Sequence, residues 1–315
     1  MRWNGLRLSL TLLTVIPVRS AVPAHAPDAA KPPGRATVAA AMAWAPAVGL
    51  LLGVIASAVL VVVDHPLGAG PLTAACLAVA SLALLTRGLH LDGLADLADG
   101  LGSGKPAPIA LDIMRRSDIG PLGTVTLIMT VLIQVAALGH AEAAGHGRGP
   151  AAVIAAVVAG RLALTWGCRR GVPAARSDGL GALVAGTVRP ATAVAVTLAT
   201  VAASAVISAT VIDEPLGWIL PLAVVAGLAV AFAVQRHAVR RLGGITGDVL
   251  GALAEVAATV TLVVASFGPL ALSLRSADRG RYRRKRSPIR PATSSGAMST
   301  APSQCKRSRN VESER

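Results

Sequence analysis

Residues 38–63, VAAAMAWAPAVGLLLGVIASAVLVVV, contain no charged side chain. A helix that crosses the hydrocarbon core of a bilayer needs about 20 predominantly apolar residues. This stretch is long enough to cross with a tilt or to extend past the bilayer. It therefore predicts a membrane-spanning helix.

Similar apolar stretches recur along the chain, at 70–86, 119–138, 151–168, 190–212, 216–235 and 249–272. Hydrophobic residues make up 53% of the chain, charged residues 15%, and the mean hydropathy is +0.63. Soluble domains carry about 25% charged residues, so the composition excludes a water-soluble enzyme. We expect an all-α, polytopic integral membrane helical bundle with about six to seven spans. Residues 6–18 favour an interfacial helix over a cleaved signal peptide.

The basic residues predict the orientation of the bundle. Lys and Arg are frequent at 1–37, 87–118, 169–189 and 236–248, whereas 64–69 and 213–215 have none and 139–150 has Arg148 alone. Cytoplasmic loops of membrane proteins carry the excess of Lys and Arg. We therefore expect the N-terminus and the three basic loops to be cytoplasmic.

The end of the chain differs in composition from the rest. Residues 275–315 hold 12 Lys and Arg against 3 Asp and Glu, so 12 − 3 = +9 of the total +14 lies there. Such a composition predicts a basic disordered tail after a membrane-embedded domain at 1–274. Seven full spans would place this tail outside the cell; either 249–272 does not cross completely or the tail ignores the charge rule. We expect no nucleic-acid partner.

The loop after the second span contains an acidic cluster, HLDGLADLADG at 90–100. In a helix, Asp92, Asp96 and Asp99 would share one face within an arc of about 60°. Carboxylates so close repel one another, and a group of hard oxygen ligands suits Mg²⁺ or Mn²⁺. The cluster predicts a metal site with catalytic carboxylates; the alternative is a solvated acidic loop.

Three further clusters are candidates for phosphate binding. Arginine forms paired hydrogen bonds to phosphate, and we single out Arg115, Arg116 and Arg176. Helix N-termini also attract anions. A glycine-rich turn precedes the last span and supplies three candidates, Gly243, Gly244 and Gly247. Asp248 follows, either as a helix N-cap or as a further metal ligand.

Five stretches, in this order, resemble the bacterial cobalamin synthase family: LTLLTVIPV at 10–18, GLHLDGLADLADG at 88–100, IMRRSDIGPLG at 113–123, RSDGLGAL at 176–183 and LGGITGDVLGA at 242–252. The resemblance covers about 1–274. It implies a multi-pass enzyme of the bacterial inner membrane that joins α-ribazole, or its 5′-phosphate, to adenosylcobinamide-GDP and releases GMP. It also implies dependence on Mg²⁺, with Asp92, Asp96 and Asp99 as the metal and diphosphate region.

Two other classes of membrane protein share some of these sequence features. A CDP-alcohol phosphatidyltransferase also carries an Asp-Gly-rich cluster beside a span, but its signature Asp-Gly-x-x-Ala-Arg is not met here, because Asp92-Gly93-Leu94-Ala95 is followed by Asp96. A transporter would carry acids near the middle of the bilayer, and of the predicted spans only the last has one at depth, Glu255. The sequence leaves open which aspartate acts as a general base.

Overall fold

The computed structural model describes residues 2–18, 33–116, 118–211 and 218–267, all within one compact unit. These residues form helices and no strand, as expected. The helices are α1 (Arg2–Leu13), α2 (Arg35–Asp64), α3 (Pro71–Leu85), α4 (Leu89–Gly102), α5 (Ala107–Ile113), α6 (Pro121–Ala143), α7 (Arg148–Gly167), α8 (Gly179–Val184), α9 (Pro190–Val211), α10 (Ile219–Leu242) and α11 (Gly247–Ser266). The predicted basic tail lies outside the described residues.

Six of these helices are long and apolar enough to cross a membrane: α2, α6, α7, α9, α10 and α11. Helix α3 qualifies only together with α4, and the two are bent by 88°. The break follows from Arg87 and Gly88, whose φ angles of 54° and 65° cannot continue a right-handed helix. The prediction of about six to seven spans is confirmed: the described residues contain six, or seven if the bent pair of α3 and α4 is one span. The acidic helix α4 is not one of the six.

Small residues set the spacing of the bundle. A Cβ atom on Gly53 of α2 would lie 2.9 Å from the Cα of Ile154 in α7, and one on Gly160 of α7 would lie 2.7 Å from the carbonyl oxygen of Ala254 in α11. Membrane helices that lack side chains at their contacts bring their backbones close and gain van der Waals contact. Helix α7 is the centre of the bundle, with 83% of its most apolar window buried.

The motif-bearing segments meet at one end of the bundle, which we call the motif end. There the amide of Ala175 donates to the carbonyl oxygen of Ile245 at 2.9 Å, and Ile245 donates to Pro173 at 2.9 Å. Helix α1 also joins this end: it packs against α2 at Gly5, and the amide of Val15 just beyond it donates to Leu85 at 2.8 Å. The fold thus brings distant parts of the sequence into one neighbourhood.

Candidate active site

A cavity of about 340 Å³ opens at the motif end. Six helices contribute to its wall, α1, α2, α4, α7, α8 and α11, together with Arg115 and the loops before α8 and α11. Its polar lining includes Asp92, Arg115, Arg176, Asp178, Thr246 and Asp248. Carboxylates and guanidinium groups therefore face the same enclosed space.

The crossing of α4 and α11 positions two of these acids. A Cβ atom on Gly93 would lie 2.8 Å from both the Cα and the carbonyl oxygen of Asp248, and one on Gly251 would lie 3.1 Å from the carbonyl oxygen of His90. The helices therefore touch backbone to backbone. Asp92 and Asp248 flank this contact, so residues 156 positions apart in the chain line one cavity.

Asp96 lies one turn after Asp92 on α4, where it is half-buried and does not line the cavity. Its partial burial first, and then the negative charges of Asp92, Asp248 and Asp99, raise the pKa of its carboxyl to about 7, against a smaller opposing effect of Arg176. Each carboxylate thus disfavours the ionisation of its neighbour. A divalent cation would relieve this repulsion, and the all-oxygen donor set suits Mg²⁺.

The cavity acids do not converge tightly. Among the described residues, three metal-binding atoms lie within 4.8 Å of one another at Asp64, His65 and Glu142, at the opposite end of the bundle. The acids of α4 and α11 are more widely spread. Mg²⁺ usually retains waters and substrate phosphates as ligands and is held by one or two carboxylates, so the spread is compatible with that ion.

Asp99 differs from the other acids of α4. Its Oδ2 accepts a hydrogen bond from the amide of Gly120 at 2.7 Å, and its Oδ1 accepts one from the amide of Gly123 at 2.8 Å. The carboxylate therefore caps the N-terminus of α6 and does not line the cavity. The structure gives it a role in holding α4 on α6.

Two of the three predicted arginines reach the cavity. Arg115 donates to both carboxylate oxygens of Asp178 at 2.8 Å, and Arg176 donates to the carbonyl oxygen of Leu111. These contacts join the segments before α6 and α8 across the cavity mouth. Arg116 is exposed and does not line the cavity.

The glycines of the turn before α11 have separate functions. Gly243 ends α10 in the left-handed conformation, with φ of 84°. Gly244 lies against the backbone of Ala174 and Ala175, where a Cβ atom would be 2.4 Å from the nearest atoms. Gly247 alone of the three lines the cavity, and it is the first residue of α11. The first amides of a helix have no intrahelical partner and can bind an anion.

Three polar side chains that line the cavity were not predicted as site residues: His90, Asp178 and Thr246. Thr246 caps α11 by accepting from the amide of Val249 at 3.2 Å, and its hydroxyl donates to Oδ2 of Asp248 at 3.1 Å, which orients that carboxylate. His90 is buried, its Nδ1 has no partner among the described residues, and burial followed by the charge of Arg161 lowers its pKa. A Thr two residues before an Asp at a helix start was the available signal for Thr246.

Comparison with known proteins adds a family to this geometry. A family model described as cobalamin-5-phosphate synthase matches residues 5–266. The chain is 44% identical to the adenosylcobinamide-GDP ribazoletransferase of Frankia casuarinae over 270 residues, which cover 82% of this chain and 92% of that protein. It is 37% identical to the Nocardioides protein of the same name, with 82% and 96% covered, and 32% identical to that of Desulforamulus reducens, with 84% and 97% covered.

No solved structure matches this chain. The matched region takes in all four sequence clusters, and it extends from α1 to the end of α11. The cavity at the motif end is therefore built from residues inside the matched region. The chain belongs to the cobalamin-5-phosphate synthase family.

Proposed function

We propose that this protein is an adenosylcobinamide-GDP ribazoletransferase, which carries out the nucleotide-loop assembly step of cobalamin biosynthesis. A ribose hydroxyl of α-ribazole, or of its 5′-phosphate, attacks the phosphorus that carries the cobinamide. The new P–O bond forms as the P–O bond to GMP breaks, and the hydroxyl proton passes to a base. The observation that carries the proposal is the cavity in which Asp92 of α4 and Asp248 of α11 share the lining with Arg115 and Arg176.

We assign different roles to the cavity residues according to their chemistry. Arg176 and Arg115 are placed to bind phosphate oxygens of the GDP moiety, and the N-terminus of α11 at Gly247 offers amides to the same group. One carboxylate of the cluster takes the hydroxyl proton as general base.

We also propose that Mg²⁺ binds at this cluster through Asp92, Asp96 and Asp248, with Asp99 fixing α4 behind them. When bound, the ion neutralises negative charge on the diphosphate as GMP departs. Arg116 is assigned no contact here because it lies outside the cavity.

The enzyme acts in a membrane. Six candidate spans make the chain multi-pass, and we propose that it resides in the bacterial cytoplasmic membrane with the motif end facing the cytoplasm. The support is the distribution of Lys and Arg, which favours the loops at the motif end. The soluble, charged substrates would then meet the site from the cytoplasmic side.

The test is release of GMP by the purified protein in membranes given adenosylcobinamide-GDP, α-ribazole and Mg²⁺. We expect GMP and a cobalamin product in equal amounts. EDTA should stop the reaction, and excess Mg²⁺ should restore it. CDP-diacylglycerol with an alcohol acceptor is the control, and CMP release from it with no GMP release from the corrinoid would overturn the proposal.

A further inference from the structure

A second polar space lies at the motif end, outside the candidate active site. It is a cavity of about 490 Å³ between the start of α2 and the start of α9. Three arginines line it, Arg35, Arg170 and Arg189, and none of its described lining residues is acidic. We call it the basic mouth. Three cations without a carboxylate among them favour an anionic ligand.

The backbone holds these arginines together. The amide of Arg170 donates to the carbonyl oxygen of Val188 at 2.8 Å, which fixes Arg170 beside Arg189. Arg35 reaches the same turn, where its Nη2 donates to Ala185 at 3.5 Å. The turn at Gly186 has φ of 65°, a conformation that glycine adopts without strain. Hydrogen bonds to backbone carbonyls of the described residues thus bring the three charges together.

An apolar cavity of about 440 Å³ lies next along the same two helices, with α7 and α10 completing its wall. We call it the apolar groove. One face of α2 lines both spaces at spacings of three and four residues, with Ala36, Ala39, Ala40 and Ala43 in the mouth and Ala47 and Leu50 in the groove. On α9, Thr192 lines the mouth and Ala195, Ala199 and Ala203 line the groove. The mouth and groove therefore form one cleft between α2 and α9.

The groove lies within membrane-spanning segments. Only 17% of the most apolar window of α9 is buried in the protein, the smallest share among the six candidate spans. Trp166 of α7 holds the start of this helix through a hydrogen bond from its Nε1 to Oγ1 of Thr197, at 2.8 Å. An apolar cavity of this kind does not hold water stably. A hydrocarbon chain suits it.

We propose that the cleft between α2 and α9 binds an anionic phospholipid, with its phosphate on Arg35, Arg170 and Arg189 and an acyl chain in the apolar groove. The positive charge of the basic mouth complements the anionic headgroup, and the apolar lining of the groove suits the acyl chain. A soluble phosphate would satisfy the mouth alone and leave the groove empty. The site is separate from the proposed transferase cavity, so lipid binding can be tested without measuring GMP release.

The test measures lipid retained by the purified full-length protein in mild detergent, by native mass spectrometry. The probes are phosphatidylglycerol and phosphatidylcholine with the same acyl chains. We expect phosphatidylglycerol to be retained in preference. Each arginine near an anionic headgroup contributes about fivefold in affinity. The double variant Arg170→Gln with Arg189→Gln should therefore bind phosphatidylglycerol about 25-fold more weakly. Arg240→Gln, which removes an exposed arginine of α10 outside the cleft, should leave retention unchanged.

A second pair of variants tests the groove. Ala199→Phe fills it and should lower phosphatidylglycerol retention, whereas Ala202→Phe, an exposed position of α9 outside the groove, should not. Melting temperatures in detergent identify any variant that is misfolded. Equal retention of the two lipids, unchanged retention in the double arginine variant, equal effects of the two Phe variants, or displacement of the lipid by inorganic phosphate would each overturn the proposal.

Discussion

Asp92 and Asp99 lie two turns apart on α4, and their carboxylates have different surroundings. Asp92 is exposed at the cavity, whereas Asp99 accepts two backbone hydrogen bonds from α6. Asp96 lies between them, and its partial burial together with the neighbouring negative charges raises the pKa of its carboxyl. A single acidic face of one helix thus borders the cavity at one end and attaches to α6 at the other.

We expect Asp92→Asn and Asp96→Asn to reduce GMP release by about a hundredfold or more, because each removes a charged oxygen ligand. Both variants keep the size of the side chain, so they should insert normally into the membrane. Asp112→Asn is the control, since Asp112 is an exposed acid of α5 outside the cavity. Near-normal GMP release by both the Asp92 and the Asp96 variant would refute the role of these residues as metal ligands.

At the scale of helices, the N-terminus of α6 depends on a side chain from α4. We expect Asp99→Ala to lower the stability of the protein by about 1 to 2 kcal/mol, because two amides at the helix start lose their acceptor. The measurement is the melting temperature in detergent, with the Mg²⁺ concentration for half-maximal activity alongside. A normal melting temperature with a raised Mg²⁺ requirement would instead support Asp99 as a metal ligand.

The crossing of α4 and α11 makes a second prediction about helices. In Gly93→Ala the new methyl group would lie against the backbone of Asp248 at 2.8 Å, and the helices must separate. We expect a loss of about 1 to 3 kcal/mol in stability and a clear loss of activity, since Asp92 and Asp248 move apart. Gly34→Ala has open space around its Cβ position and should be nearly neutral. Equal activity of the two variants would contradict the close contact.

At the scale of the whole molecule, the two ends of the bundle should face different compartments. In a protein with Cys76, Cys168 and Cys305 replaced, Leu67→Cys lies at the end opposite Ser103→Cys. We expect an impermeant maleimide added to intact cells to label the cysteine at 67, and to label the one at 103 only after permeabilisation. The reverse pattern would overturn the proposed orientation.

The tail gives the last prediction. The family match ends at residue 266, and residues 275–315 lie beyond it. We expect truncation after residue 274 to leave GMP release essentially unchanged, because a segment so rich in charge and so poor in apolar residues adds little to a packed site. Normal insertion with lost activity would show that the tail is functional.

The sequence predicted what local periodicity controls and missed what tertiary contact decides. Apolar length identified the spans, and the spacing of Asp92 and Asp96 identified the acidic face of α4. Hydrogen bonds between distant residues could not be anticipated: the pairing of Arg115 with Asp178 joins positions 63 apart, and Asp99 finds its acceptor role only when α6 packs beside α4. Apolar length identified 70–86 but not the bend that follows it at Arg87 and Gly88, beyond which the chain continues as α4.

The size of the active-site cavity has a consequence for selectivity. At about 340 Å³ it is at the lower end of pockets that enclose a drug-sized ligand. A corrinoid is far larger than such a ligand, so in the proposed reaction the diphosphate and its acceptor enter while the corrin ring stays outside. Discrimination then acts on the reacting groups, and corrinoids that differ in the upper axial ligand should be accepted at similar rates.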